Sequence, residues 1–254
     1  LQYPNLNSQT IKALIINSAS LNKIPFDKSI SKLHNRLVGH GFVDNFKSVF
    51  SNENSVTLIL EDVLSDDDLK VYPINFPTYL ITDDLGKQNG IVKVTATLCF
   101  SFLPIKNNQL SYNPIHMAFS IFKNHSADDI IKTNGELNSK LKSGLTWSQN
   151  GRHKSKPLPY SNSQKISLTV NVSDLVNEEN IFKLALHCLV TEQIVGGIPN
   201  DYPTEFPFSL VLNIEETVKE NTGKLYDEIT LINHVEAIGE LDIQSEVEIH
   251  DLDA

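Results

Sequence analysis

Six stretches of this sequence are rich in β-branched and aromatic residues at strand spacing, with no long helical pattern between them: Val56 to Glu61, Ile91 to Phe102, His116 to Lys123, Lys165 to Val172, Phe182 to Gln193 and Phe206 to Glu215. Strands that each carry an apolar face must bury it against another layer, and strands joined by loops instead of helices pair antiparallel. The chain is therefore expected to be mainly β, an antiparallel β-sandwich of jelly-roll-like type. In the second stretch Val92, Val94, Ala96, Leu98 and Phe100 alternate with Lys93, Thr95, Thr97, Cys99 and Ser101. That period of two predicts a half-buried strand.

The residues before these strands follow a different rule. Ser8 to Ser18 reads as an amphipathic helix with Ile11, Leu14 and Ile15, extended by Ser18, on one face, and Asn7 fits the N-cap because its side-chain oxygen can accept from an amide of the first turn. Beyond a polar loop, Gly39 and Gly41 flank His40 and allow backbone angles that a side chain disfavours. A short helix is expected from about Asp44 to Phe50, with Phe46 facing inward together with Val49 or Phe50. Later, Ser126 and Asp129 form a capping-box pattern ahead of Ile130, Ile131, Leu137 and Leu141, which predicts a short surface helix within Ser126 to Lys142. From Glu236 to Asp253, Leu241, Ile243, Val247 and Ile249 recur at strand spacing in an acidic stretch.

With 254 residues and 40% hydrophobic content the chain can bury a substantial core, and it contains no apolar run near the roughly 20 residues of a membrane helix. Its first residue is Leu1 and its one methionine is Met117, so it is expected to be a piece of a longer protein. Cys99 and Cys188 each lie in an apolar strand pattern and read as buried free thiols, a usage that favours a reducing, cytoplasmic setting.

The net charge of -10 is unevenly placed. Between Leu137 and Ser173 there is no acidic residue, while Lys140, Lys142, Arg152, Lys154, Lys156 and Lys165 lie around Trp147 and Tyr160. The acidic end carries Glu236, Glu240, Asp242, Glu246, Glu248, Asp251 and Asp253 without a lysine or arginine. Trp147, Arg152, Lys154, Lys156, Glu246 and Glu248 are the candidate partner-contact residues, against the alternatives of a solvated loop and of an edge strand whose charges discourage pairing. Nucleic acid is disfavoured by the net acidity and by the lack of a reader motif. The histidines lack metal-ligand spacing, no serine sits in a Gly-x-Ser-x-Gly elbow, and Gly196-Gly197 lacks the lysine of a phosphate loop. No metal and no cofactor are expected.

Leu1-Gln2-Tyr3-Pro4-Asn5-Leu6-Asn7-Ser8, followed by Ile11-Lys12-Ala13-Leu14-Ile15-Ile16-Asn17-Ser18-Ala19, resembles the segment of subtilisin-like serine proteases that directly follows the helix bearing the nucleophilic serine. In that family a YP-(N/D)-L-S-P approach precedes a helix ending in LL-(I/V)-N/H-S-A; here Asn7 and Ser8 replace serine and proline, keeping the cap and the first helical position. Gly39-His40-Gly41-Phe42-Val43-Asp44 with Phe46, Lys47 and Val49 resembles the G-Y-G-x-V-(N/D)-x-x-(K/R)-A-V that closes a subtilase catalytic domain, with His40 where tyrosine is usual. The remainder is similar to the β-rich tail of bacterial subtilases that partner an AAA-type ATPase in anti-phage systems. The cues are Asn54-Ser55-Val56-Thr57-Leu58-Ile59, Trp147 in a basic turn, and Leu225-Tyr226-Asp227-Glu228-Ile229.

The resemblance implies that residues 1–52 are the carboxyl-terminal end of a subtilisin-like α/β catalytic domain, contributing its last helices, and that residues 53–254 are an accessory β-sandwich with an acidic end. It places the Asp-His-Ser triad and the oxyanion asparagine before Leu1, since none of the family's D-(T/S)-G, H-G-T and G-T-S-x-(A/S) motifs occurs here. No catalytic residue is assigned within the chain, which on this reading is inactive by itself. The implied partners are the rest of the parent protease, its protein substrate and an AAA-type ATPase. The alternative is a non-enzymatic interaction module.

Overall fold

The structure, a computed structural model, describes residues 6–20, 39–48, 50–81, 90–105, 113–122, 161–176, 179–190, 198–217 and 224–236. The expected surface helix in 126–142, the Gly196-Gly197 turn and the acidic stretch beyond Glu236 lie outside the described residues.

The described strands are β1 (Ser55–Leu64), β2 (Leu69–Asn75), β3 (Ile91–Phe100), β4 (Ile115–Phe122), β5 (Ser163–Asn171), β6 (Ile181–Val190) and β7 (Phe206–Glu216). They form an antiparallel four-stranded sheet ordered β1-β7-β3-β5 and a three-stranded sheet ordered β2-β6-β4. Successive strands alternate between the sheets, the first pairs with the last and the second with the next to last. This is the winding of a jelly roll. Helices α1 (Ser8–Ser18), α2 (Val172–Leu175) and α3 (Leu225–Glu236) complete the described elements, with a 3-10 turn at Thr78–Leu80.

The alternation read from sequence explains the core. Val92, Val94, Ala96, Leu98 and Phe100 of β3 face the opposite sheet, where Met117, Phe119, Phe182 and Leu186 meet them in one buried cluster with Phe208 and Leu212 of β7. Apart from Ala96, each such side chain contributes about 1.5–3 kcal/mol on burial. The other face of β3, expected to be half exposed, is buried as well: Thr97 and Cys99 are fully covered and Thr95 nearly so. Helix α1 lies over them, so the fold has three layers at this point.

Strand β2 was not among the expected strands, because Pro73 interrupts a short run. The register explains how it is tolerated. Strand β2 lies at the edge of its sheet and pairs only with β6. A proline, which has no N–H, fits a strand whose outer side makes no ladder bond. Helix α3 is the other addition: Leu225 and Ile229, four apart, enter the core, and Asn233 continues the same face.

Three local expectations are corrected. On α1 Ser18 of the expected face is buried, but with Thr10 and Ala13, while Ile11 and Ile15 are 44% and 43% exposed. Small side chains let the helix approach the sheet closely, which Ile11 and Ile15 could not. The segment after Asp44 is one turn instead of a helix, closed by Ser48 N–H to Asp44 O at 3.0 Å and Phe50 N–H to Phe46 O at 3.0 Å. Phe46 points outward, 57% exposed, and stacks on Phe50 with ring centroids 4.9 Å apart.

Candidate functional site

Trp147, Arg152, Lys154, Lys156, Glu246 and Glu248 all lie outside the described residues. What the structure does bring together is the pair of motifs on which the family resemblance rests.

Helix α1 begins where Asn7 Oδ1 accepts the Thr10 amide at 2.7 Å, the N-cap expected from sequence. The same end is bound to the sandwich. Thr10 Oγ1 donates to Glu61 of β1 and lies 2.7 Å from Ser209 Oγ of β7, whose hydroxyl also reaches Asn7. At mid-helix Ala13 packs on Cys99 and Val211, the small apolar seam of the interface. At the far end Asn17 Nδ2 lies within 3.0–3.2 Å of Thr95 O, Thr97 Oγ1 and Val211 O, spanning β3 and β7.

The helix has no basic residue in its own last turn. Lys165 supplies one from β5: its Nζ donates to the carbonyls of Ile16, Asn17 and Ala19 at 2.9, 2.7 and 2.6 Å. A cation there complements the negative end of the helix dipole and the carbonyls of the last turn, of which that of Ile16 also accepts the Ala19 amide. Burial, reinforced by Lys93, pushes the Lys165 ammonium down to about 8. The three carbonyls pull the other way by binding the charged form. In the sequence Lys165 reads as one of a basic run around Trp147, and nothing in the pattern marks it as the cap of a helix so far back in the chain.

Ser20 then pairs with Phe42 in a two-hydrogen-bond bridge, at 2.9 and 3.0 Å, that joins the end of the first motif to the second. Gly39 and Gly41 adopt φ of +60° and +99°, the conformations for which the glycines were singled out. His40 between them is half-buried and held below its ordinary value by burial, then by Lys165 and Lys12. Asp44 Oδ1 caps the next turn by accepting from the Phe46 and Lys47 amides, and Lys47 pairs with Glu215, which also lies 3.7 Å from Lys93. Ile11, Ile15, Phe42, Val43 and Phe46 are left exposed along this paired segment.

Elsewhere the polar groups serve the scaffold. Asp62 accepts from Tyr72 Oη at 2.8 Å and from Lys70 Nζ at 3.0 Å, tying β1 to β2 across the open edge of the sandwich. Burial works to raise this carboxyl, but the Val63 amide, the Tyr72 hydroxyl and Lys70 hold it below the usual range. The same burial and the Asp62 charge raise Tyr72. Asp66, Asp67 and Asp68 turn onto the end of β6, where Asp66 accepts the Val190 amide and Asp67 pairs with His187 at 3.3 Å. Among the described residues no group of three metal-ligating side chains converges, and no helix is long and apolar enough to cross a membrane. Cys99 and Cys188 are free and buried, and burial raises their thiols to about 11 and about 12.

No family model matches the sequence. The uncharacterized protein y4bN of Sinorhizobium fredii (strain NBRC 101917 / NGR234) is 25% identical over 126 residues, covering 48% of this chain and 28% of that protein. The match thus spans little more than a quarter of that relative. Among solved structures, the infectious bursal disease virus VP2 subviral particle overlaps 67% of this chain and 34% of its own, with 10% identity and a TM-score of 0.34. The Kashmir bee virus empty particle at acidic pH overlaps 69% of this chain and 98% of its own, with 11% identity and a TM-score of 0.30.

Proposed function

We propose that this chain is the non-catalytic carboxyl-terminal region of a subtilisin-like serine endopeptidase. Residues 1–52 complete the protease domain, and residues 53–254 add a jelly-roll sandwich that stabilises it and docks a protein substrate or an AAA-type ATPase, in bacterial anti-phage defence in the cytoplasm. The observation that supports this most is the pairing of the two motif segments. Asn7 to Ala19 and Gly39 to Phe46, which resemble two consecutive parts of a subtilase domain, lie side by side through the Ser20–Phe42 bridge. They also leave Ile11, Ile15, Phe42, Val43 and Phe46 uncovered. On this reading the catalytic part of the parent protein covers that apolar face, because a sandwich that buries its own core has no need to leave it open.

A fluorophosphonate probe, which labels an activated serine, tests the reading on the parent protein. Labelling is expected at a serine upstream of Leu1, with the 254-residue chain alone unlabelled. A parent that takes no label and lacks a Gly-Thr-Ser-type motif upstream favours the non-enzymatic interaction module. Labelling of the isolated chain overturns both readings.

A further inference from the structure

We propose that α1 is a strap that opens independently of the jelly roll, fastened at its carboxyl end by the Lys165 ammonium. The composition of the seat is the first reason. The sandwich coheres through phenylalanines and leucines from both sheets, whereas the fully buried apolar seam beneath α1 is Ala13, Cys99 and Val211, with Leu14, Ile16 and Ile59 partly covered. The remaining attachments are polar: Thr10 with Glu61 and Ser209, Asn17 with two strands, and Lys165 with three carbonyls. Regions with little buried apolar contact open before the core does.

The second reason is length. A helix of 11 residues does not persist in water without a partner surface, so leaving the sheet means losing its hydrogen bonds. The third is the position of Lys165, which reaches α1 from the outer strand of the four-stranded sheet and binds the last turn at three points. Among the described residues the neighbouring lysines are engaged elsewhere: Lys12 reaches Asn162, Lys93 lies near Glu215, and Lys47 pairs with Glu215. Replacing the ammonium by an apolar side chain therefore removes it from all three carbonyls, of which that of Ile16 keeps the Ala19 amide.

The fastening rests on geometry alone. In combination with the proposed function it places the joint between protease domain and jelly roll at this strap. Hydrogen exchange on the 254-residue chain tests it without any protease measurement, so an unlabelled parent protein leaves the strap standing and a failed strap leaves the protease reading standing. In the unmodified chain the amides of Ile11 to Ser18 are expected to exchange ahead of those in β3 and β7. Lys165→Met is expected to accelerate α1 exchange at least about tenfold, by taking the ammonium from three part-buried carbonyls at the helix end, while leaving β3 and β7 within about twofold. Lys12→Met, at the exposed side of the helix, is expected to change α1 exchange by no more than about twofold. The proposal is overturned if α1 shares the protection of β7 in the unmodified chain, if Lys165→Met leaves α1 unchanged, or if that variant speeds helix and sheet alike.

Discussion

Ala13 shows how one small side chain sets the distance between α1 and the sheet. It is fully buried against Cys99 and Val211. Ala13→Leu inserts carbons where none fit, so we expect a loss of about 1–3 kcal/mol in urea unfolding. Ile15→Leu on the exposed side should change stability by less than about 0.5 kcal/mol. Titratable residues add a second expectation. Burial holds the His116 imidazole down to about 4, below its ordinary 6.5, and the Asp62 carboxyl is held below its ordinary 3.8. A group whose proton binds better in the unfolded chain stabilises the fold only at pH values above its unfolded pKa. The His116 contribution is thus complete above 6.5 and lost as pH falls from there towards 4. Asp62 follows below 3.8. The urea midpoint should fall through this window, and His116→Gln should flatten the limb between 6.5 and 4 while sparing the more acid one.

Among the elements, α3 is held by Leu225 and Ile229 in the core and by one polar side chain at the edge of β2. Asn233 is almost wholly buried, accepts the Asn75 amide at 2.9 Å and donates back to the Asn75 carbonyl at 3.1 Å, as a neighbouring strand would. Asn233→Ala leaves both backbone groups at the end of edge strand β2 without these bonds. We expect a loss of about 1–3 kcal/mol by urea unfolding, and faster exchange of the Asn75 amide. Asn233→Asp keeps the acceptor but sets a buried carboxyl oxygen against the Asn75 and Ile229 carbonyls, so it should be no more stable than Asn233→Ala. This contact was illegible in the sequence, since an asparagine late in a helix says nothing of a strand 158 residues earlier. The six expected strands were legible within a few residues, because alternation records which face meets the core, as Val92 to Phe100 does. The Asn7 cap and the positive-φ glycines were legible too, being local backbone chemistry. The inner face of α1 was misread because hydrophobicity marks Ile11 and Ile15, whereas close approach to a sheet selects Ala13 and Thr10. Of the candidate site, the motif segments could be read in advance, but not the residues that join them to the sandwich: Lys165 looked like one more member of a basic run.

For the molecule as a whole, the open question is whether residues 1–52 and the sandwich are separate bodies or one. The sequence resemblance draws its boundary after residue 52, yet the outer face of β3 and β7 carries Thr97, Cys99, Ser209 and Val211, all buried, with α1 seated over them. Cys99 reports on this boundary. It lies under α1 on the outer face, whereas Cys188 sits in the core between the sheets, so a thiol reagent distinguishes the two surfaces. In the 254-residue chain both thiols are covered and burial raises them to about 11 and about 12, leaving little thiolate at neutral pH, so Cys188 should react only on unfolding and Cys99 only slowly, as α1 lifts. A chain beginning at Glu53 retains every described strand but lacks α1. If the sandwich stands alone, that chain should remain folded with one thiol now reactive, assigned to Cys99 by its loss in Cys99→Ser, and should be less stable in urea. A chain in which both thiols react at once would mean that the jelly roll does not fold without α1. If Cys99 remained as unreactive as before, the cover supplied by α1 would be immaterial to it, contrary to the packing described. The first outcome would make the sandwich an independently folding unit that is nonetheless built to carry a helix from the segment before it.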